Sequence, residues 1–249
     1  TCNGLDRYDG YHFKQYSTRT SKAHDNNVEW VAEDYCGTIW VKAISGFYLY
    51  DREKDELNNN IHPFLSEMGI KGVIKQLYVD ALPENIKLLY LTCRGTVGYV
   101  LLSDGSISRI NWTANKLTKE TSISLNPGFH PHVYLDTFYN VWLYVTHGSQ
   151  IECYSTREKA WVTFPGQREL KEERNNITTI TDDGQGNIWI GTDNSGVLIS
   201  HYYKNQITRI RKEVGKIYSL PNNHITCIFK DDRGIMWIGT GKQGVAYAN

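Results

Sequence analysis

Tryptophan spacing constrains this chain more than any other feature. Four segments align on a Trp: "DYCGTIWVKAISG" (34–46), "DTFYNVWLYVTHG" (136–148), "DGQGNIWIGTDNSG" (183–196) and "DRGIMWIGTGKQG" (232–244). Each has an Asp six residues before the Trp: Asp34 and Trp40, Asp136 and Trp142, Asp183 and Trp189, Asp231 and Trp237. A Gly stands three before the Trp in three copies (Gly37, Gly186, Gly234), and Tyr139 takes that place in the other. An apolar residue lies three before each Asp (Val31, Val133, Ile180, Ile228), and Val28, His130, Ile177 or Ile225 lies six before it. The Trp-to-Trp distances are 102, 47 and 48. The first is about twice the others, which predicts an intervening copy without tryptophan. Residues 74–110 supply it, keeping Asp80, adding a longer insert and carrying Tyr90 near the Trp position.

Each unit of about 48 residues reads as four short strands, A to D, separated by turn residues; the clearest set is "ITTITD", "NIWIGT", "GVLISHYY" and "QITRIRK". A period of 40–50 residues with four strands and a Gly–Trp signature is that of a β-propeller. One blade cannot bury both of its faces, so blades must stack. The fold expected is therefore all-β, a β-propeller with four-stranded blades, about five blades' worth. The blade units fall at about 1–20 (C–D strands only), 27–65, 72–113, 129–165, 176–213 and 224–249 (A–B–C strands only) of a single partial propeller, residues 1–249. Such a piece would expose strand edges and apolar faces, so an open arc, or edges covered by another copy, is expected.

Composition agrees and excludes several classes. Seventeen Tyr and 7 Trp against 2 Met favour pleated, aromatic-rich strands. Net charge is zero with no basic stripe, which argues against a nucleic-acid surface. No apolar run of about 18 residues is present, so no membrane span is expected within this chain, and its start has no signal-peptide pattern. The cysteines at 2, 36, 93, 153 and 227 form neither C-x-x-C nor zinc spacing, and no disulfide can be assigned.

"GLDRYDGYHFKQYST", "IWIGT" followed by a Gly, and "SLPNNHI" before "ITCIFKDDRGIMWIGT" resemble the regulator-propeller repeat, which builds the extracytoplasmic sensor of hybrid two-component systems in glycan-degrading gut bacteria. The resemblance covers essentially the whole chain, most strongly 1–51 and 177–249. It implies part of a seven-bladed propeller, one of two that precede an immunoglobulin-like domain, a membrane span, a histidine kinase and a DNA-binding output. It further implies a periplasmic, non-catalytic sensor segment, an oligosaccharide ligand, a homodimer formed through the full ectodomain, and membrane attachment only through segments outside this chain.

The motifs divide into architecture and candidate site. In D-x-x-G-x-x-W the Asp can accept turn N–H groups, the Gly can take positive φ, and the Trp can pack between blades. A calcium loop fails, because "DDGQGNIWIGTD" puts Ile, Trp and Ile where ligands should fall. No metal and no cofactor is expected. In propellers the B–C and D–A loops share one face. That face would present Lys42, Arg94, His147, Asp193, Asn194, Lys242 and Gln243, together with Asn27, His130, His132, Asn175, Asn223 and His224. This amide-rich set suits hydroxyl-rich ligands. The ligand candidates are Lys42, Arg94, His130, His132, His147, Asp193, Asn194, His224 and Lys242. "HPH" at 130–132 reads as a loop. Two alternatives stand beside the sensor: a dimerisation scaffold without its own ligand, and a glycan-cleaving propeller enzyme of sialidase or lyase type. Against the enzyme, the Asp–Gly offset is three rather than the two of an Asp-box, and Arg7, Arg94, Arg174 and Arg233 are spread over different units.

Overall fold

The computed structural model describes residues 4–19, 25–33, 37, 39–59, 88–94, 96–102, 104–111, 116–125, 131–172 and 175–248. The fold is all-β, a β-propeller made of small antiparallel sheets, and the chain divides into two compact units, Thr1–Leu125 and Asn126–Asn249. In the first unit β1 (Leu5–Tyr8) pairs with β2 (Phe13–Tyr16). A four-stranded sheet follows from β3 (Val28–Glu33), β4 (Ile39–Ala43), β5 (Gly46–Asp51) and β6 (Glu56–Asn58). Another contains β7 (Leu88–Arg94), β8 (Val97–Leu102), β9 (Ser106–Asn111) and β10 (Lys116–Ser122). In the second unit β11 (His132–Leu135), β12 (Val141–Tyr144), β13 (Ile151–Ser155) and β14 (Ala160–Val162) form one sheet, followed by a short helix, α1 (Gln167–Glu172). The next sheet has β15 (Ile177–Asp182), β16 (Asn187–Thr192), β17 (Val197–His201) and β18 (Gln206–Ile210). A three-stranded sheet of β19 (Ile225–Lys230), β20 (Met236–Thr240) and β21 (Val245–Ala248) completes it. Strands lie in sequence order in every sheet, so each is a meander joined by hairpins alone.

The sheet of β7–β10 departs from the expected unit 72–113. Its described strands run from Leu88 to Ser122, and Tyr90 lies on β7 opposite Leu101. Asp80 lies outside the described residues.

The central strands are buried on both faces, so they read as nearly continuous apolar runs. On β16, Ile188 and Ile190 face one side and join Trp142, Ile151, Phe164 and Leu170; Trp189 faces the other and joins Ile225, Ile228 and Ile238. The period of two thus sends one strand into two successive cores. The first strands break that period. Ile177 and Ile180 are three apart yet share a core, because the register shifts between Ile177 and Thr179. The same shift occurs after Val28 and after Ile225. A bulge rotates the strand by one position and returns both residues to one face. The outer face of β19–β21 carries Phe229, Trp237 and Tyr247 directly opposite one another, 62%, 40% and 66% exposed.

The first hairpin of each later sheet is built by one aspartate. Asp136 Oδ1 accepts the N–H groups of Phe138 (2.9 Å) and Asn140 (2.8 Å). Asp183 Oδ1 takes Gln185 and Asn187, and Asp231 Oδ1 takes Arg233 and Ile235, at the same offsets of two and four. The other oxygen reaches the indole six residues on: Trp142 Nε1 donates to Asp136 and Trp237 Nε1 to Asp231, both at 2.9 Å. In the Asp183 copy Asn187 Nδ2 occupies that oxygen (2.6 Å), and the Trp189 N–H is buried without a partner. Burial lifts the Asp136 carboxyl above its ordinary value, with the Trp142 and Asn140 bonds opposing it. The Trp237 bond lowers that of the open Asp231. Asp34 lies outside the described residues.

Each turn closes through a residue at positive φ: Gly37 (81°), Gly186 (91°), Gly234 (85°) and, in the fourth copy, Tyr139 (64°). Tyr139 N donates to Asp136 O just as Gly234 N donates to Asp231 O, both 3.0 Å. A side chain in the left-handed region costs about 1 kcal/mol. Tyr139 is 40% exposed, so its ring returns little of that. Tyr139→Gly is expected to raise stability by about 0.5–1 kcal/mol, read as a higher midpoint in urea; an unchanged or lower midpoint would show that the ring contacts outweigh the backbone cost.

Single carboxylates join neighbouring sheets. In the first unit Asp55 accepts from Lys14 Nζ (2.7 Å), Arg7 Nη1 (3.0 Å), Tyr50 OH (2.6 Å) and Tyr16 OH, tying β1–β2 to the β5–β6 hairpin. Lys14 first, then the two hydroxyls, hold its carboxyl far below the usual carboxylate range. In the second unit Asp182 accepts from Tyr134 OH (2.5 Å) and from Thr137 OH, linking β15 to the preceding sheet.

Candidate functional site

The loops that bear the candidate residues are held by a repeated latch. Ile44 N donates to Asn27 O, Asp193 N to Asn176 O and Gly241 N to His224 O, at 2.9–3.2 Å. Each bond ties a B–C loop to the segment entering the first strand of its own sheet. The residue before that carbonyl makes a second latch, to the preceding sheet. Gly4 N donates to Asn26 O and Gly196 N to Asn223 O. The Asn26 and Asn223 side chains then accept Thr18 N and Lys212 N, both at 2.7 Å. Asn175 is buried and accepts from Ser195 Oγ (2.7 Å). Much of the amide ring expected to face a ligand is therefore committed to architecture.

The nine expected ligand residues separate accordingly. Lys42 lies within β4 and its side chain is 13% exposed. Its ammonium sits over Phe47 at 5.4 Å, donates to Ala43 O and stands 3.7 Å from Glu29. It is an internal cation, not a loop residue, because β4 continues one residue past it. Arg94 ends β7 opposite Val97 and is half-buried. His130 lies outside the described residues. His132 opens β11 instead of sitting in a loop. Its ring stacks on Tyr144 at 5.3 Å, and its Nε2 is 3.2 Å from Thr146 Oγ1. Pro131 marks the strand start, a position where proline is tolerated. His147 takes positive φ (61°), gives its N–H to Ile177 O and leaves its ring exposed.

The other four come together. Asp193 and Asn194 on the β16–β17 loop, Asn222, Asn223 and His224 before β19, and Gly241 and Lys242 on the β20–β21 loop line a cavity of about 310 Å³. Asp193 Oδ2 accepts from Asn176 Nδ2 (2.8 Å), and its Oδ1 is sealed from water without a partner. Asn222 Oδ1 accepts His224 N (2.8 Å). Gly241 stands 48 residues after Asp193, at the same place in its loop. A Cβ there would lie 2.6 Å from the His224 ring, so glycine is what lets the imidazole rest on the loop backbone. Lys212, whose N–H is held by Asn223, donates from Nζ to Gln243 Oε1 (3.1 Å), the residue after Lys242.

Sequence spacing located Asp193, Asn194, His224 and Lys242 through the repeat. Asn176, the neighbour of the expected Asn175, is the residue that touches Asp193. The spacing gave no sign of Lys212, which the chain path alone brings beside the cavity. Among the described residues no three His, Cys, Asp or Glu side chains stand close enough to hold a metal ion, and Cys153 and Cys227 are free thiols.

The two-component regulator propeller model matches residues 172–194 and 219–242. Comparison with curated proteins gives no match. Among solved structures, the extracellular domains of two hybrid two-component systems from B. thetaiotaomicron superpose with TM-scores of 0.61 and 0.62 at 19% and 22% identity. They cover 98% and 99% of this chain, which spans 30% of the length of each. Virginiamycin B lyase from Staphylococcus aureus superposes with a TM-score of 0.50 at 12% identity, over 90% of this chain and 70% of the lyase. At these identities the likeness concerns the fold.

Proposed function

We propose that this chain, which carries repeats of the two-component regulator propeller family, is a non-catalytic sensor segment that binds an oligosaccharide on the periplasmic side of the membrane. Its larger protein would turn that binding into control of glycan-utilisation genes, through a dimer and a kinase outside this chain. The observation that carries the reading is the cavity between β16–β17, β19 and β20–β21. Three loops from two successive sheets deliver side chains there with hydrogen-bonding groups left over. About 310 Å³ is at the lower end of ligand-site volumes, enough for one sugar unit of a longer chain. No helix among the described residues is long and apolar enough to cross a membrane. A switch would need the ligand to favour one of two states of the whole sensor.

Calorimetric titration of oligosaccharides into the intact protein tests this. Binding is expected, with Asn194→Ala and His224→Ala each weakening it about 5–30-fold. Heat from no oligosaccharide would favour the scaffold reading, and turnover of a glycan would overturn both.

A further inference from the structure

The cavity's hydrogen-bonding groups are not evenly divided between donors and acceptors. Several of its acceptors already hold one bond. One Asp193 oxygen is held by Asn176 and the other is sealed from water, while the Asn222 and Asn223 carbonyl oxygens accept His224 N and Lys212 N. Its donors remain. Lys242 Nζ has no partner among the described residues, and Lys212, whose backbone N–H is held by the cavity residue Asn223, gives its Nζ to the neutral amide of Gln243. Neither ammonium has a carboxylate within ion-pair distance among the described residues, although other cations there do, as Lys14 with Asp55 and Arg52 with Glu33. Two ammonium groups, Lys242 lining the cavity and Lys212 joined to its Asn223, therefore stand against the one carboxylate of Asp193, of which one oxygen is sealed from water. A neutral sugar hydroxyl would leave both ammonium charges without a counter-charge. A carboxylate or sulfate is acceptor-only and gains charge-assisted bonds from lysine.

We propose that this cavity reads an acidic oligosaccharide, with Lys242 and Lys212 binding its anionic group. The inference rests on the cavity being a glycan site. Calorimetry on the intact protein with neutral oligosaccharides, oligouronides and sulfated oligosaccharides tests it. At least one acidic set should bind about tenfold or more tightly than its neutral counterpart, and which one does separates carboxylate from sulfate. Lys242→Gln should weaken that binding about tenfold and Lys212→Gln about threefold, with melting curves unchanged. Raising salt from about 50 to about 300 mM should weaken it further. Equal or exclusive binding of neutral sugars, or lysine variants that bind as the parent does, would overturn the acidic-ligand inference and leave the glycan site standing. If none of the three sets binds, the glycan site itself falls.

Discussion

Trp142→Ala is expected to cost about 3–5 kcal/mol of stability, whereas Trp237→Ala should cost only about 1–2 kcal/mol, although both indoles occupy the same place in the same motif. Trp142 is 1% exposed and packs edge-on against Phe164 with ring centroids 4.8 Å apart. Removing it opens a cavity among Ile151, Leu170, Ile188 and Leu198, between two successive sheets. It also leaves the buried Asp136 without its indole donor. Trp237 keeps the same bond to Asp231 but is 40% exposed, so its truncation leaves no enclosed void. Urea denaturation of the two variants reads the difference. Equal losses would show that the motif's energy lies in the Asp–indole bond and not in packing between sheets.

The second large effect belongs to Asp182. Asp182→Ala is expected to cost about 2–4 kcal/mol, because it strips the Tyr134 and Thr137 hydroxyls and the Gly184 N–H of a charged acceptor at a 5%-exposed site. The Tyr134 bond spans 48 residues, one repeat, so the carboxylate holds the β11–β14 sheet to the next. A double-mutant cycle with Tyr134→Phe should give a coupling energy of about 1–3 kcal/mol. Additive losses would mean that the two residues stabilise their own sheets independently. In the copy that follows, Lys230 replaces Asp182, so this link is not a property of the repeat.

That contrast separates what could be read from residues alone. The fold was legible because a stacked architecture repeats its constraints. Every later copy needs an Asp to close the hairpin, a residue at positive φ three on, and a Trp for the gap between sheets, so spacing carried the whole pattern. The exceptions were legible only as exceptions. Tyr139 in a glycine place announced strain, but the apolar spacing of three on the first strands gave no hint of a bulge. The copy between the first two motif tryptophans lost that landmark.

The candidate site was half legible for a related reason. Loop position follows from the repeat, so Asp193, Asn194, His224 and Lys242 could be named from sequence. Which of those polar groups remain free could not, since that depends on partners from neighbouring loops. Asn175 and Asn223 are absorbed by latches, Lys42 by Phe47 and Glu29, and His132 by Tyr144 and Thr146. Local order in the sequence determined the all-β propeller, because turn chemistry and a period of two act between near neighbours. Only the tertiary structure decided which side chains could still meet a ligand, because hydrogen bonds are satisfied by whatever the fold brings within about 3 Å.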